Sequence, residues 1–199
     1  MAYSDFSLEG ALTTLKLKYS EVADLFGKEP NLECSQLLAE TLQRSVPLGL
    51  ATNTQKSRAK MITAPILIEL REQLQNRISL FSGIDFNVDS EKGLDGSCDF
   101  LIGNSSGLLL VVTPVIIIVE AQPKNLNSEL GQCVAEMLAS RIFNERQGNE
   151  ISAIYGAVTS GTTWKFIQLK NQEIEINLTE YYLTEVNKIL GILASAINN

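Results

Sequence analysis

The sequence contains no histidine among its 199 residues. This excludes Ser-His-Asp hydrolases, histidine-ligated zinc sites and histidine acid-base catalysis. Its three cysteines, Cys34, Cys98 and Cys133, are far apart and form no CxxC pair, so neither a zinc ribbon nor a disulfide framework is encoded. Any chemistry must therefore come from carboxylates, lysine, cysteine, serine, tyrosine and amides.

Long apolar runs and excess positive charge are also missing. The longest apolar run, Leu108 to Val119, is interrupted by Thr113 and Pro114 and is shorter than the roughly 20 residues of a membrane-spanning helix. Met1 to Gly10 has neither a basic start nor an apolar core, so no secretion signal is expected. With 16 Lys and Arg against 23 Asp and Glu, the net charge is -7, which gives no overall attraction to a polyanion. We expect a cytoplasmic protein with no membrane partner.

The composition, 45% hydrophobic and 20% charged, is typical of one compact unit with a sizeable core. The pattern changes near residue 55. Residues 1–55 are polar and turn-rich, and they predict a small helical N-terminal subdomain that covers the rest, with helix over 8–26 and a short helix after Ser35. Residues 56–199 are strongly patterned and predict an α/β core.

Within this core the pattern alternates between helix and strand. Ile62, Ile66 and Leu70 predict an amphipathic helix over 57–75, kinked at Pro65. Further helices are predicted over 128–147 and from Thr179 to the C terminus. Strands are predicted over 77–88, 97–102, 115–122, 151–158, 163–169 and 173–177. The second and third of these strands are almost wholly apolar, which indicates a sheet covered by helices on both faces.

Two acidic residues interrupt these apolar strands. Asp99 lies within SCDFLI and Glu120 near the end of VIIIVEAQ, and an unpaired carboxylate buried in such a place costs several kcal/mol. Gln122 is two residues after Glu120 and shares its face of the strand. Two carboxylates that converge at a strand end can bind a hard cation such as Mg²⁺, whose water is a potential nucleophile.

The order of helix, strands and helix around Asp99 and VEAQ resembles the PD-(D/E)xK nuclease superfamily, which has a restriction endonuclease-like fold. The chain is also similar to a group of small bacterial proteins of that fold that have no assigned activity. The resemblance covers residues 57–197. The phrases that carry it are FSGIDFNVDSEKGLDGSCDFLI, IIIVEAQ, LGQCVAEMLASRIFNERQGNEI and YGAVTSGTTWKF.

The resemblance implies that Asp99 and Glu120 are the carboxylates that hold Mg²⁺ or Mn²⁺. It adds Glu69, on the preceding helix, as a third acid. Gln122 occupies the position of the family's lysine, but an amide carries no positive charge. Lys124, two residues further on, would share that face if the strand continued through Pro123.

Gln132, four residues before Glu136, resembles the helix glutamine of some nucleases of this fold. Gln122 is equally compatible with an ordinary amide at the end of a strand, and Lys124 with a solvated loop lysine. Arg58, Lys60, Arg71 and Arg77 could form a local phosphate-binding surface. Charges interspersed along a helix are also typical of a plain solvated face.

Two functions remain open at this point. The first is a metal-dependent nuclease that hydrolyses phosphodiester bonds with a metal-activated water. The alternative is a catalytically inactive nuclease-fold protein that serves as a binding or interaction module, which the acidic charge and the missing lysine favour. A homodimer is also expected, because Leu183, Val186, Leu190, Leu193 and Ile197 form a broad apolar stripe on the last helix.

Overall fold

The computed structural model describes residues 2–122 and 125–198 and shows an eight-stranded mixed sheet with helices on both faces. The predicted α/β class is therefore confirmed. The helices are α1 (Leu8–Thr14), α2 (Gln36–Thr52), α3 (Gln55–Arg58), α4 (Ala64–Gln73), α5 (Leu130–Arg146) and α6 (Val186–Asn198). The strands are β1 (Lys18–Val22), β2 (Ser79–Asp85), β3 (Ser97–Gly103), β4 (Val115–Ala121), β5 (Ala153–Thr159), β6 (Thr163–Lys170), β7 (Glu173–Asn177) and β8 (Tyr181–Tyr182).

The strands lie in the order β1-β7-β6-β5-β4-β3-β2, and β8 pairs with β6. Most neighbours are antiparallel, but β4 and β5 are parallel and α5 connects them, as a parallel pair requires a crossover. The pairing of β3 with β4 is antiparallel and places Phe100 opposite Val119. Asp99 and Glu120 therefore follow at the same end of the sheet.

Two hydrophobic cores cover the two faces of the sheet. The first contains residues of α2, α4 and α6, such as Leu38, Ile66 and Leu190, and the second contains residues of α1 and α5, such as Ala11 and Val134. From Ile117 to Val119 the side chains of β4 alternate between these cores, so the sheet forms the middle of three layers. Within the described residues, no helix is long and apolar enough to cross a membrane.

The N-terminal region is not wholly helical, so the predicted helix over 8–26 is wrong in its second half. Lys16 adopts a left-handed conformation (φ 55°) just beyond α1, and Lys18–Val22 then forms a strand that pairs in parallel with β7. The exposed edge of β7 offers backbone partners that a helix could not use, and this outweighs local helix propensity. Residues before 55 thus contribute a strand to the common sheet.

The predicted helix over 57–75 forms, with a change of helical type in its middle. Residues Ala59–Thr63 form a π-helical segment between α3 and α4, and Pro65 lies in the first turn of α4. In a regular helix the ring of Pro65 would clash with the carbonyl of Met61. The wider turn relieves that clash, as insertions of this kind commonly do at helix irregularities.

The last helix begins at Val186, not after Thr179, because Tyr181 and Tyr182 first pair with β6. Its apolar residues, including Leu190, Leu193 and Ile197, are buried within the chain. The stripe on which the homodimer was predicted is thus covered largely by the protein's own core. The homodimer stays a prediction, but the apolar stripe of the last helix no longer supports it.

The contact of α6 with the N-terminal region gives a first prediction. A Cβ added at Gly191 would lie 1.8 Å from the carbonyl oxygen of Pro30, so Gly191→Ala must push the two segments apart. We expect a loss of about 1–3 kcal/mol in the free energy of unfolding, measured by denaturant titration. Gly107→Ala is the control, because its added Cβ would meet nothing closer than 3.6 Å. Equal stability of the two variants would contradict this packing.

Candidate functional site

The site lies where the regular ladder between β3 and β4 ends. Beyond the pair of Phe100 and Val119, the backbone N–H of Asp99 donates to Oε1 of Glu120 over 3.1 Å. The backbone N–H of Ala121 donates in turn to Oδ2 of Asp99 over 2.9 Å. Each carboxylate thus accepts a bond from the backbone of the opposite strand, which satisfies donors that the ladder leaves free. The predicted position of both acids at the end of two neighbouring antiparallel strands is confirmed, while their reach to a common ion stays a prediction.

These two acids line a pocket of about 260 Å³. Gln122 also lines it, while its backbone N–H donates to the carbonyl of Thr159 over 2.7 Å and so is held beside the end of β5. The other walls come from the N-terminal segment, from Gly96 and Ser97, and from Gln55 and Gln132. Four larger pockets lie elsewhere on the described surface, and neither Asp99 nor Glu120 lines any of them.

Gln132 connects Glu120 to a second buried acid on α5. Its Nε2 donates to Oε2 of Glu120 over 2.8 Å and to Oε1 of Glu136 over 3.0 Å. Glu120 and Glu136 are only 1% and 0% exposed, and Oε2 of Glu136 is buried without a hydrogen-bond partner among the described residues. The prediction that Gln132 lies at the site agrees with this geometry. Glu120 and Glu136 thus bring two buried carboxyl groups together through one amide.

Burial and the neighbouring carboxylates determine the charge of this pair. Burial, followed by repulsion from Glu136 and from Asp99, raises the pKa of Glu120 well above its ordinary value. Burial also raises the pKa of Glu136, and polar contacts with Glu120 and Gln132 offset this only in part. No ion pair of the described residues involves Asp99, Glu120 or Glu136. The pair therefore retains a proton at pH values where exposed carboxyl groups have lost theirs.

The donor atoms fit a hard divalent cation with two protein carboxylates. Both hydrogen bonds to Asp99 use Oδ2, from Ala121 and Gln55, and Oδ1 accepts none from the residues that the structure describes. Mg²⁺ takes oxygen ligands, usually from one or two carboxylates, and keeps several waters. A cage of three or more acidic, cysteine or histidine ligands is not found in residues 2–122 and 125–198. Asp99 and Glu120, with the amide of Gln122 nearby, suit the more open arrangement.

Glu69 does not lie with these acids, so its predicted role as a third metal ligand is not supported. The helical segment from Gln55, which contacts Asp99, to Glu69 is 14 residues long and spans about 20 Å at 1.5 Å per residue. The carboxylate of Glu69 instead accepts bonds from the backbone and hydroxyl of Ser35 and from Gln73. Burial would raise the pKa of Glu69, but these bonds outweigh it and the pKa is lowered. Glu69 fixes the start of α2.

The four basic residues predicted to form one phosphate-binding surface lie at the two ends of a helical segment. Arg58 donates to the carbonyl of Ser160, just after β5, and therefore lies at the end of the sheet that holds Glu120. Lys60 is exposed close by in sequence. Arg71 and Arg77 instead donate to carbonyls of Ile78 and Leu74 at the far end of α4, about 20 Å along the helix. Of these four predicted residues, Arg58 and Lys60 remain candidates for contacts with a phosphate group.

Lys124 lies outside the described residues, so its predicted contribution stays a sequence prediction. Two residues near the site escaped sequence reasoning. Gln55 donates to Asp99 over 3.1 Å, and nothing in its polar surroundings signals this long-range contact. Lys165 is 8% exposed on β6, between Trp164 and Phe166. A charged residue inside an apolar strand is the signal that identified Asp99 and Glu120, and it could have identified Lys165.

Comparison with known proteins adds no relative to this description. The chain matches no family model, no curated protein and no solved structure.

The raised pKa values predict how stability depends on pH. In the folded protein Glu136 holds its proton to higher pH than in the unfolded chain, so its contribution to stability is full below its ordinary pKa and is lost as pH rises through the folded value. Glu136→Gln stays neutral and should remove part of that loss. The free energy of unfolding should decrease between about pH 5 and pH 8 in both proteins. The decrease should be smaller in Glu136→Gln than in the wild type, by at least about 1.4 kcal/mol, which corresponds to a shift of one pKa unit.

Denaturant titrations at both pH values measure this difference. Glu72→Gln, at an exposed position of α4, is the control and should show the wild-type pH dependence. Identical slopes for wild type and Glu136→Gln would contradict the retained proton.

Proposed function

We propose that the protein is a metal-dependent nuclease of the PD-(D/E)xK type, which hydrolyses phosphodiester bonds. The observation that carries this proposal is the pocket shared by Asp99 and Glu120, two acids from otherwise apolar neighbouring strands that bond to each other's backbone. The arrangement of sheet and flanking helices supports it, since it is compatible with a restriction endonuclease-like core. Mg²⁺ or Mn²⁺ is the proposed cofactor, with Asp99 and Glu120 as its protein ligands.

The reaction adds water across one phosphodiester bond. The water oxygen forms a bond to phosphorus as the bond from phosphorus to the leaving sugar oxygen breaks. The water loses a proton and the leaving oxygen gains one, so the products are a phosphate monoester and an alcohol. When bound, the cation supplies charge stabilisation to the phosphate oxygens and activation of the attacking water.

The protein's residues hold the reacting groups in position. Oδ1 of Asp99 accepts no hydrogen bond from the described residues, while Oδ2 is fixed by Ala121 and Gln55. Gln132 fixes the carboxylate of Glu120 from the side of α5. The amide of Gln122, at the pocket wall, can donate to a phosphate oxygen or orient a water. Such fixed groups lower the barrier because they need no rearrangement as charge develops.

A specific observation also favours the alternative, a catalytically inactive binding module. The bonds from Asp99 and Glu120 to the facing strand give both acids a structural role at the end of the ladder. Gln122 adds no charge where this fold family carries lysine. These bonds do not account for the buried Oε2 of Glu136, which has no partner among the described residues. We therefore place the nuclease first and test it against the binding module.

Metal binding is the first test. Mg²⁺ or Mn²⁺ should raise the midpoint of thermal unfolding, because a ligand that binds only the folded state stabilises it, by about 2.7 kcal/mol at 100 times Kd. Asp99→Asn should abolish the rise, since the amide oxygen can still accept the bond from Ala121 but the charge is gone. Glu173→Gln, at the exposed first residue of β7, should keep it. An equal response of wild type and Asp99→Asn would contradict the proposed ligands.

Replacement of the amide at the lysine position is the second test. Gln122→Lys should increase metal-dependent cleavage of single- or double-stranded DNA by about 10-fold or more, because loss of one well-placed electrostatic donor costs other enzymes roughly 100- to 1,000-fold. Gln147→Lys, at the exposed C-terminal end of α5, adds the same charge far from the pocket and should change nothing. Cleavage is followed on labelled oligonucleotides in Mg²⁺ and in Mn²⁺.

The nuclease proposal fails if wild type and Gln122→Lys are both inert towards DNA and RNA while Asp99→Asn leaves the metal response unchanged. The binding module would then be the better description.

A further inference from the structure

Lys165 is a buried cation that the proposed mechanism does not yet use. It is 8% exposed, and its ammonium donates to Oδ1 of Asn127 over 3.0 Å. No carboxylate of the described residues lies within 4.0 Å of it. A buried charge with only a neutral partner is costly. Its position therefore calls for an explanation beyond packing.

The sheet register places Lys165 in one row with Glu120. Glu120 lies opposite Val158 on β5, and Val158 lies opposite Lys165 on β6. Directly opposite residues share a face of the sheet, and Val158 packs in the core on the side of α5. Neighbouring strands are 4.7–4.9 Å apart, so the backbones at Glu120 and Lys165 are about 10 Å apart. A lysine on this row projects over the same face as Glu120.

The partner of Lys165 links it to the same part of the chain. Asn127 belongs to the short 3-10 helix Leu126–Glu129, which leads directly into α5 and Gln132. The chain passes from Gln122, at the pocket wall, to this helix within five residues. Lys165 is therefore bonded to the residues that lead into α5, and it lies two strands from β4 on the side away from Asp99 and β3.

We propose that Lys165 supplies part of the positive charge that Gln122 lacks, from a position on β6 that leaves room for a second cation at residue 122, and that its ammonium leaves Asn127 to contact a phosphate oxygen of the substrate. This inference rests on the nuclease activity proposed above. It assigns the ammonium group that acts on the phosphate to β6, two strands away from Glu120. The flexible stem of lysine allows the change of partner, and the neutral amide of Asn127 holds the ammonium until a phosphate is present.

The experiment compares four variants in metal-dependent cleavage of a labelled oligonucleotide. Lys165→Met keeps the apolar stem and removes the charge, and it should lower kcat on the order of 100-fold with little change in KM. Lys165→Arg should retain part of the activity. Asn127→Ala removes the bond but leaves the charge, and should cost less than 10-fold. Lys170→Met, on the exposed end of β6 beside Glu175, is the control and should cleave like wild type.

Thermal unfolding with and without Mn²⁺ is measured for every variant. Lys165→Met should keep the metal-induced stabilisation, because the proposed metal ligands are untouched. An equal loss of cleavage in Asn127→Ala and Lys165→Met would mean that Lys165 only anchors the 3-10 helix, which overturns the inference. Full activity of Lys165→Met, or a loss found in Lys124→Ala instead, overturns it as well and leaves the nuclease proposal standing. An inert wild type with no metal response overturns both.

Discussion

The reciprocal bonds between the carboxylates of Asp99 and Glu120 and the backbone of the facing strand are the constraint on which the site depends. They close the end of the β3 and β4 ladder and fix both acids beside one pocket. Because Glu120 is held here, Gln132 and Glu136 of α5 must meet it from above the sheet. The two layers are thus joined by polar contacts at one end and by apolar packing elsewhere.

The two buried acids at this end of the sheet, Glu120 and Glu136, form no ion pair within 4.0 Å among the described residues. In the free protein a retained proton lowers the free-energy cost of burying the two carboxyl groups. A bound cation would lower the same cost while both carboxylates stay ionised. Under the proposed function, a proton and a divalent cation compete for the same carboxylates.

Much of the core could be predicted because its periodicity is local. The strands around Asp99 and Glu120 and the helix carrying Gln132 were recognisable from apolar patterns of period two and of three to four. Lys18–Val22 was not, because its strand conformation depends on the distant edge of β7. The contact of Gln55 with Asp99 is likewise set by how α3 packs, which no spacing reveals.

Glu69 shows the opposite error. It was named because the resemblance implies an acid on the preceding helix, but it lies about 20 Å along that helix from Gln55 and binds Ser35. The resemblance did not specify how far along the helix that acid lies from the pocket. Lys165 was overlooked although it interrupts an apolar strand as Asp99 and Glu120 do. The same criterion, applied to bases as well as acids, would have named it.

The central claim is that the carboxylate pocket exchanges a retained proton for a divalent cation. Mn²⁺ binding is measured by calorimetric titration at about pH 6.5 in two buffers of different ionisation enthalpy. The difference between the two enthalpies gives the number of protons released on binding. Since the pKa of Glu120 is raised in the free protein, binding should release a measurable fraction of a proton. Binding with no proton release, or no binding at all, would contradict the claim.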